Sequence, residues 1–182
     1  MHENPVLTPS QRDALARARR AVLATIGPDG RPRLVPVCFT LDPGQPVLYS
    51  PLDDKPKLAA DVHDLARVRD VRRDPRVTVL VDTWDEDWSR LGWLRCDGTA
   101  SLVEPDRSSP GEHSAVVAAL RAKYPQYATH DLARRPLIRI GIEHATGWAA
   151  SGLGRPSVPG RPPRPSGGGS GSSSSPGGTR PR

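Results

Sequence analysis

The sequence has few of the residues from which disulfide frameworks and metal centres are built. It has only two cysteines among 182 residues, Cys38 and Cys96, and they lack CxxC spacing. Two separate cysteines in strand-like surroundings are typical of reduced thiols in a cytoplasmic protein. The five histidines are scattered along the chain, and no group of histidine and cysteine has the spacing of metal ligands. We therefore expect neither a disulfide nor a metal centre.

Long apolar runs are also absent from the sequence. The N-terminal segment lacks the apolar stretch of a signal peptide, and no run approaches the roughly 20 apolar residues that a membrane-spanning helix needs. We therefore expect a cytoplasmic protein that does not enter a membrane.

The sequence does not predict hydrolytic chemistry. It offers no Ser-His-Asp set and no pair of carboxylates that the pattern of elements brings together. The acidic run at residues 85–87 lacks a metal-site framework, and we interpret it as a loop.

The C-terminal segment differs in composition from the rest of the chain. Of the 28 residues at 155–182, 7 are Pro, 7 are Gly, 7 are Ser and 5 are Arg. Such a segment has almost nothing to bury, so we predict one folded domain at residues 1–152 and a disordered tail at residues 153–182. The chain carries +6, but the five arginines of the tail leave only +1 on residues 1–154. We therefore expect no specific nucleic-acid partner.

Strand patterns dominate the predicted domain. The run "AVLATIGPDGRPRLVPV" predicts a β-hairpin, because Asp29 and Gly30 form a turn between two apolar segments. Pro36 lies in the second segment and predicts an edge strand or a bulge, since proline has no N–H to donate. Further strands are predicted in "QPVLYSP", "RDPRVTVLVDTW", "LGWLRCDGTASLV" and "RPLIRIGIEHATGWAAS", the third of them with a bend at Gly98.

Three helices interrupt these strands. The stretch "TPSQRDALARARR" begins with a capping residue and a proline, and "SPGEHSAVVAALRAKYP" ends at Pro125. A third helix is predicted in "SPLDDKPKLAADVHDL", where Leu58, Val62 and Leu65 have helical spacing. About six strands in hairpin-type order, interrupted by helices, predict a mainly β fold with a six-stranded antiparallel barrel.

Lys55 and Lys57 occupy the first turn of the third predicted helix, where the helix dipole disfavours cations. The free N–H groups of a helix N-terminus bind anions, and a bound phosphate makes neighbouring lysines favourable. Ser50 would add a hydroxyl donor, so the stretch is consistent with a phosphate clamp. The alternative is that both lysines are solvated and that Asp53 and Asp54 are simple N-caps.

The order of these elements resembles a known superfamily. The stretches "AVLATIGPDGRPRLVPVCFTL", "SPLDDKPK" and "RDPRVTVLVD" resemble the flavin-binding split β-barrels that include pyridoxamine phosphate oxidase. The stretch "DEDWSRLGWLRCDGTA" and the ending "TGWAAS" resemble the subgroup of oxidoreductases that use the deazaflavin coenzyme F420. The resemblance covers about residues 10–151 and implies a homodimer with two cofactors bound in grooves between the subunits.

The resemblance also implies a site and an activity. The cofactor phosphate would meet the two lysines, the second strand would lie along the cofactor ring, and Trp88 would reach the site or the partner subunit. The implied cofactor-binding residues are Ser50, Lys55, Lys57, Val35, Pro36, Val37 and Trp88. The implied reaction is hydride transfer from F420 to an electron-poor conjugated small molecule. An FMN-dependent oxidoreductase of the same fold, and a non-catalytic protein that binds a flavin-like or porphyrin-like ligand, remain alternatives.

Other conspicuous side chains have simpler interpretations. Trp93 and Trp148 lie on predicted strands, and we interpret them as core residues, because tryptophans are four of only eight aromatic residues. Arg31 and Arg33 alternate on the second strand, and we interpret them as a solvated face.

Overall fold

A computed structural model of the chain describes residues 5–52, 61–105 and 111–150. In chain order the strands are β1 (Ala21–Ile26), β2 (Pro32–Val37), β3 (Thr40–Leu41), β4 (Val47–Pro51), β5 (Arg76–Thr83), β6 (Gly92–Val103) and β7 (Leu137–Ala149). The α-helices are α1 (Pro9–Arg17), α2 (Ala66–Arg73) and α3 (Glu112–Lys123). Short 3-10 turns cover Val62–Asp64, Trp88–Arg90, Pro125–Thr129 and Leu132–Arg134. The predicted tail at residues 153–182 lies outside the described residues.

The strands form one curled antiparallel sheet in the order β2-β1-β5-β6-β7-β4-β3. Every pairing between neighbours is antiparallel. The sheet has the architecture of a split β-barrel, so the predicted fold class is confirmed. The seventh strand, beyond the six predicted, is the two-residue β3 at the sheet edge.

The N-terminal helix begins where the sequence predicts. The Thr8 hydroxyl accepts a hydrogen bond from the backbone N–H of Gln11, and the Gln11 side chain accepts one from the Thr8 N–H. This capping box satisfies two backbone donors at the helix start. Leu15, on the inner face of α1, is fully buried. No helix in the described ranges is long and apolar enough to cross a bilayer.

The predicted hairpin is formed by β1 and β2. Gly30 in its turn has φ of +77°, a conformation that glycine adopts without steric cost. Among the described strands, β2 pairs with β1 alone, so Pro36 lies on an edge strand as predicted. The missing N–H of proline therefore disrupts no ladder inside the sheet.

The long strand β6 bends at Gly98, as predicted. The register between β6 and β7 shifts between Asp97 and Gly98. A Cβ atom on Gly98 would lie only 1.9 Å from the carbonyl oxygen of Gly141, so no larger residue fits without moving the backbone. The strand β6 pairs with β7 on both sides of the bend, whereas β5 pairs only with the part of β6 from Gly92 to Thr99.

The prediction of a helix over residues 50–65 is wrong where the structure describes this stretch. Val62 lies in a 3-10 turn, which Asp61 caps by accepting a hydrogen bond from the N–H of His63. Leu65 is extended, with φ −61° and ψ 135°, and α2 begins only at Ala66. The local cap of Asp61 and the extended Leu65 separate two short elements where the apolar spacing predicts one. The part of the prediction at residues 53–60 lies outside the described residues.

Two apolar clusters hold the fold together. The first fills the barrel with aliphatic side chains, among them Leu23, Leu48, Val79, Leu94 and Ile140. The second lies between the sheet and α3, and includes Val47, Tyr49, Val117, Leu120 and Tyr124. All five residues of β4 are buried, because its two faces pack against different clusters. The chain after β4, which carries the predicted phosphate clamp, therefore starts from a firmly held strand.

Candidate functional site

The edge strand β2 carries three of the predicted cofactor-binding residues, Val35, Pro36 and Val37. Val35 and Val37 are half-buried and pack against the barrel core, whereas Leu34 and Pro36 are exposed on the opposite face. Leu34 is 64% exposed, which is unusual for a leucine in a strand. A planar ligand lying on the outer face would therefore touch Leu34 and Pro36. The side chains of Val35 and Val37 would support the strand from behind.

The outer edge of β2 has backbone groups that pair with no strand in the part of the chain that the structure describes. A strand in an antiparallel sheet presents N–H and C=O groups to both sides in alternation. Because β2 pairs with β1 alone among the described strands, its other edge has no ladder partner. Such an edge can hold the polar rim of a ligand by backbone hydrogen bonds, with Pro36 contributing only a carbonyl.

Ser50 lies near the end of β4, opposite Ile138 of β7. Its side chain shares the face of Leu48, towards the barrel interior, and the residue is only 1% exposed. A ligand phosphate that contacts this hydroxyl must therefore approach the end of the barrel. Lys55 and Lys57 lie outside the described residues, so the phosphate clamp remains a prediction.

A buried carboxylate links the two parts of the candidate site. Asp70 on α2 is 1% exposed and accepts a hydrogen bond from the hydroxyl of Thr25 at 3.0 Å. It also pairs with Arg33 and Arg73, each at 3.4 Å. The helix that follows residues 53–60 is thereby tied to the first residues of β2.

Arg33 is exposed, as the solvated interpretation predicts, but its guanidinium also pairs with the buried carboxylate of Asp70 on α2, which that interpretation does not include. The sequence shows this aspartate only as one charge among the arginines of "ARVRDVRR", and its partner strand is 37 residues earlier. Arg31 matches the solvated interpretation, since its 3.9 Å pairing with Asp29 is exposed on both sides.

Trp88 lies in the loop between β5 and β6 and is 71% exposed. The loop is shaped locally: Asp87 accepts hydrogen bonds from the N–H and hydroxyl of Ser89, and Arg90 pairs with Asp85 at 3.2 Å. The hydrogen bonds from Ser89 lower the pKa of the Asp87 carboxyl. The indole is therefore presented to solvent on an ordered turn.

Trp88 and Ser50 lie at opposite ends of the sheet. The loop of Trp88 enters β6 at Gly92, whereas Ser50 faces Ile138, which pairs with Leu102 near the other end of β6. The ten residues that separate Gly92 from Leu102 span about 30 Å of strand. Within one chain, the structure therefore does not bring these two predicted residues together.

Trp93 and Trp148 are not core residues, contrary to the interpretation from the sequence. They pair directly across β6 and β7 and are 38% and 48% exposed. Side chains alternate along a strand, and Leu94 and Cys96 take the inward positions of β6. Aliphatic residues fill the barrel, which leaves the indoles outside. The exposed indoles at this end of the sheet are Trp84, Trp88, Trp93 and Trp148.

A cavity of about 340 Å³ opens beside Trp93, between the end of α1 and the ends of β1, β5, β6 and β7. Its charged lining comprises Arg17, Arg19, Arg20, Arg90 and Asp82. Arg20 pairs with Asp82 at 3.9 Å, so cations outnumber the single carboxylate of the lining. Sequence reasoning missed this recess, because its arginines come from two segments that are about 70 residues apart.

The described residues contain no group of three or more metal-ligating side chains. Both cysteines are free, and burial raises the pKa of the Cys96 thiol to about 12. This thiol is therefore protonated at neutral pH and is a poor nucleophile.

Three solved structures share this fold. A conserved hypothetical protein from Mycobacterium tuberculosis is 24% identical, with a TM-score of 0.62, over 88% of this chain and 97% of that chain. An F420 reductase is 21% identical, with a TM-score of 0.56, over 77% of this chain and 98% of that one. An FAD-binding protein from Mesorhizobium loti is 21% identical, with a TM-score of 0.53, over 74% and 87%.

A sequence model of one family spans almost the whole described fold. The model of pyridoxamine 5'-phosphate oxidase matches residues 7–149, from the segment before α1 to the end of β7. The match includes the edge strand β2, Ser50 and the loop of Trp88, which are the elements of the candidate site. The chain therefore belongs to the pyridoxamine 5'-phosphate oxidase family.

Proposed function

We propose that this protein is an oxidoreductase that uses coenzyme F420 to transfer hydride to an electron-poor conjugated small molecule, and that it works as a homodimer. The observation that carries the proposal is the free edge of β2, with Leu34 and Pro36 exposed beside unpaired backbone groups. An F420 reductase among the structures of the same fold supports the choice of cofactor.

The described residues fit a planar ring with a polar rim. Leu34 and Pro36 offer an apolar contact for a ring face, and the outer edge of β2 offers backbone hydrogen bonds to ring heteroatoms. Lys55 and Lys57, with Ser50, would hold the phosphate of the cofactor tail. When bound, the deazaflavin supplies or accepts a hydride. The chain itself then has to orient the ring and exclude water, and neither task requires an acid–base side chain.

The arginine-lined cavity is the candidate recess for the substrate. It lies at the Val37 end of β2, because Ala21 at the start of β1 pairs with Val37 and Arg20 directly precedes β1. Trp93 gives the cavity one aromatic wall, on which a conjugated molecule can stack. The surplus of arginines favours a substrate that carries a carboxylate or another anion.

A second copy of the chain explains how Ser50 and Trp88 can serve one cofactor. They lie at opposite ends of the sheet within one chain, but a twofold partner can bring its own Trp88 loop to the clamp end. Four exposed indoles are also more aromatic surface than a small soluble monomer usually presents. We therefore propose that each site is shared between two protomers.

The test is a direct assay of cofactor use. The purified chain is mixed with reduced F420 or with reduced FMN and a panel of nitroaromatic and enone acceptors, and the absorbance of each cofactor is followed. Oxidation of F420 that depends on both protein and acceptor supports the proposal. Turnover with FMN alone would establish the FMN alternative, which the FAD-binding protein of the same fold favours. Binding without turnover of either cofactor would leave a carrier protein.

A further inference from the structure

Lys123, the last residue of α3, has its ammonium group among aromatic rings. Its Nζ atom lies 4.2 Å from the centre of the Phe39 ring and 5.7 Å from the centre of the Tyr124 ring. It donates one hydrogen bond of 3.4 Å, to the backbone carbonyl of Leu15. The guanidinium carbon of Arg19 lies 4.8 Å from the centre of the Tyr124 ring. A second cation thus lies close to the amine.

This amine has no carboxylate partner among the described residues. The choice of lysine at this position is also unusual for the chain, which has lysine only at Lys55, Lys57 and Lys123 and otherwise uses arginine. An arginine stays protonated at any physiological pH, whereas a lysine can become a neutral nucleophile when it is desolvated. Position 123 therefore has the one lysine among the described residues.

Burial and the neighbouring Arg19 favour the neutral amine, whereas the two aromatic rings attract the ammonium form. Burial, followed by the charge of Arg19, lowers the pKa of Lys123 from 10.5 to about 8, with Cys38 acting in the opposite direction. The other charged groups that face it across the neighbouring cleft are Arg12, Asp13 and Asp42. At pH 8 a large share of Lys123 is unprotonated, whereas an ordinary lysine is almost wholly charged.

A cleft of about 350 Å³ lies beside Lys123, between α1 and β3. Lys123 lines this cleft together with Arg12, Thr40 and Asp42. The volume exceeds that of a small acyl phosphate, and Arg12 brings a positive charge to the opening. The cleft is separate from the edge of β2 and from the arginine-lined cavity, since no residue lines both cavities.

We propose that Lys123 is a site of covalent acylation by small acyl phosphates, because this half-buried lysine lines an open cleft beside Arg19 and has no carboxylate partner among the described residues. The neutral Nζ attacks the acyl carbon and forms a C–N bond. The C–O bond to phosphate breaks, phosphate leaves with the electron pair, and the surplus proton of the nitrogen passes to the leaving phosphate. The resulting amide is uncharged and loses the cation–π attraction to Phe39 and Tyr124.

The experiment compares the three lysines within one molecule. The full chain is incubated with acetyl phosphate at pH 8, and the initial rate of acetylation at each lysine is measured by mass spectrometry of peptides. We expect Lys123 to react about tenfold faster than Lys55 or Lys57, since more of its amine is neutral. The preference should vanish in 8 M urea, where all three amines are solvated. Equal or slower reaction at Lys123 in the folded chain would overturn the proposal.

A pair of variants tests the origin of the reactivity without touching the lysine. Arg19→Gln removes the neighbouring cation and should slow acetylation at Lys123, because more of the amine is then protonated. Arg17→Gln removes another exposed arginine two residues earlier, which pairs with Asp13, and should leave the rate unchanged. An equal effect of the two substitutions would contradict the proposed role of the surroundings.

Discussion

At the scale of single residues, the least replaceable charge in the described fold is Asp70. It is fully buried, yet its three partners come from β1, β2 and α2. Arg33 and Arg73 remain 43% and 41% exposed, so the carboxylate has most of the desolvation cost and the arginines keep much of their hydration. The interaction stabilises the fold because all its members are charged or hydrogen-bonded.

Replacement of Asp70 by asparagine should destabilise the protein by about 2 kcal/mol. The amide keeps the volume but loses the charge-assisted hydrogen bonds, each of which contributes about 1.5–3 kcal/mol when buried. Urea denaturation measures the change. The matched control is Asp13→Asn, whose partner Arg17 is 3.8 Å away with both side chains more than 70% exposed. This control should change stability by less than about 0.5 kcal/mol, and an equal loss in both variants would contradict the account.

At the scale of elements, the geometry of the long strand β6 depends on one glycine. Gly98 lies where the register shifts, and a Cβ atom there would collide with the backbone carbonyl of Gly141. The bend lies in the part of β6 that pairs with β5 along one edge and with β7 along the other.

Substitution of Gly98 by alanine should therefore cost about 3 kcal/mol or more, because a Cβ atom 1.9 Å from a carbonyl oxygen forces two backbones apart. Gly44→Ala is the control, since a Cβ there would meet its nearest atom at 3.7 Å, an ordinary contact. Thermal and urea unfolding of the two variants give the comparison. A Gly98→Ala protein as stable as Gly44→Ala would show that the bend does not need glycine.

Strands were easier to predict from the sequence than the helix after β4. Alternating valines and isoleucines predict β5 and β7 because one face of each is buried, and local turn chemistry predicts the hairpin at Gly30. The start of α2 depends on Asp61, which caps the preceding 3-10 turn, and on Leu65, whose backbone is extended. Neither feature follows from the spacing of apolar residues. The Asp70–Arg33 pairing joins residues 37 positions apart and leaves no local signal. The interpretation of Trp93 and Trp148 as core residues is wrong because alternation along a strand does not show which of its two faces lies against the core.

At the scale of the whole molecule, the aromatic residues indicate where another copy would bind. The barrel is filled by aliphatic side chains, while Trp84 and Trp88 are more than 70% exposed and Trp93 and Trp148 form a pair on the sheet surface. Interfaces are enriched in tryptophan, and buried indoles often dominate their energetics. Ser50 and Trp88 lie at opposite ends of the sheet, so they can contact one cofactor only if a second copy of the chain contributes one of them.

Sedimentation at micromolar concentration should therefore detect a dimer. Trp93→Arg should weaken it by at least about thirtyfold, because an interface indole typically contributes 2 kcal/mol or more. Gln126→Arg adds the same charge to an exposed turn after α3 and should leave the dimer intact. A stable wild-type monomer at these concentrations would contradict both the dimer and the shared site.

We propose that this barrel binds a phosphate-bearing deazaflavin through Lys55 and Lys57. Isothermal titration with F420 and, separately, with FMN should show tight binding of F420 and weak binding of FMN. In Lys55→Ala/Lys57→Ala, the affinity for F420 should fall by roughly two to four decades, because two charge-assisted contacts to phosphate are lost. Arg121→Ala removes an exposed cation from α3, outside the candidate site, and should bind as wild type does. Unchanged affinity for both ligands in the lysine variant would contradict the claim.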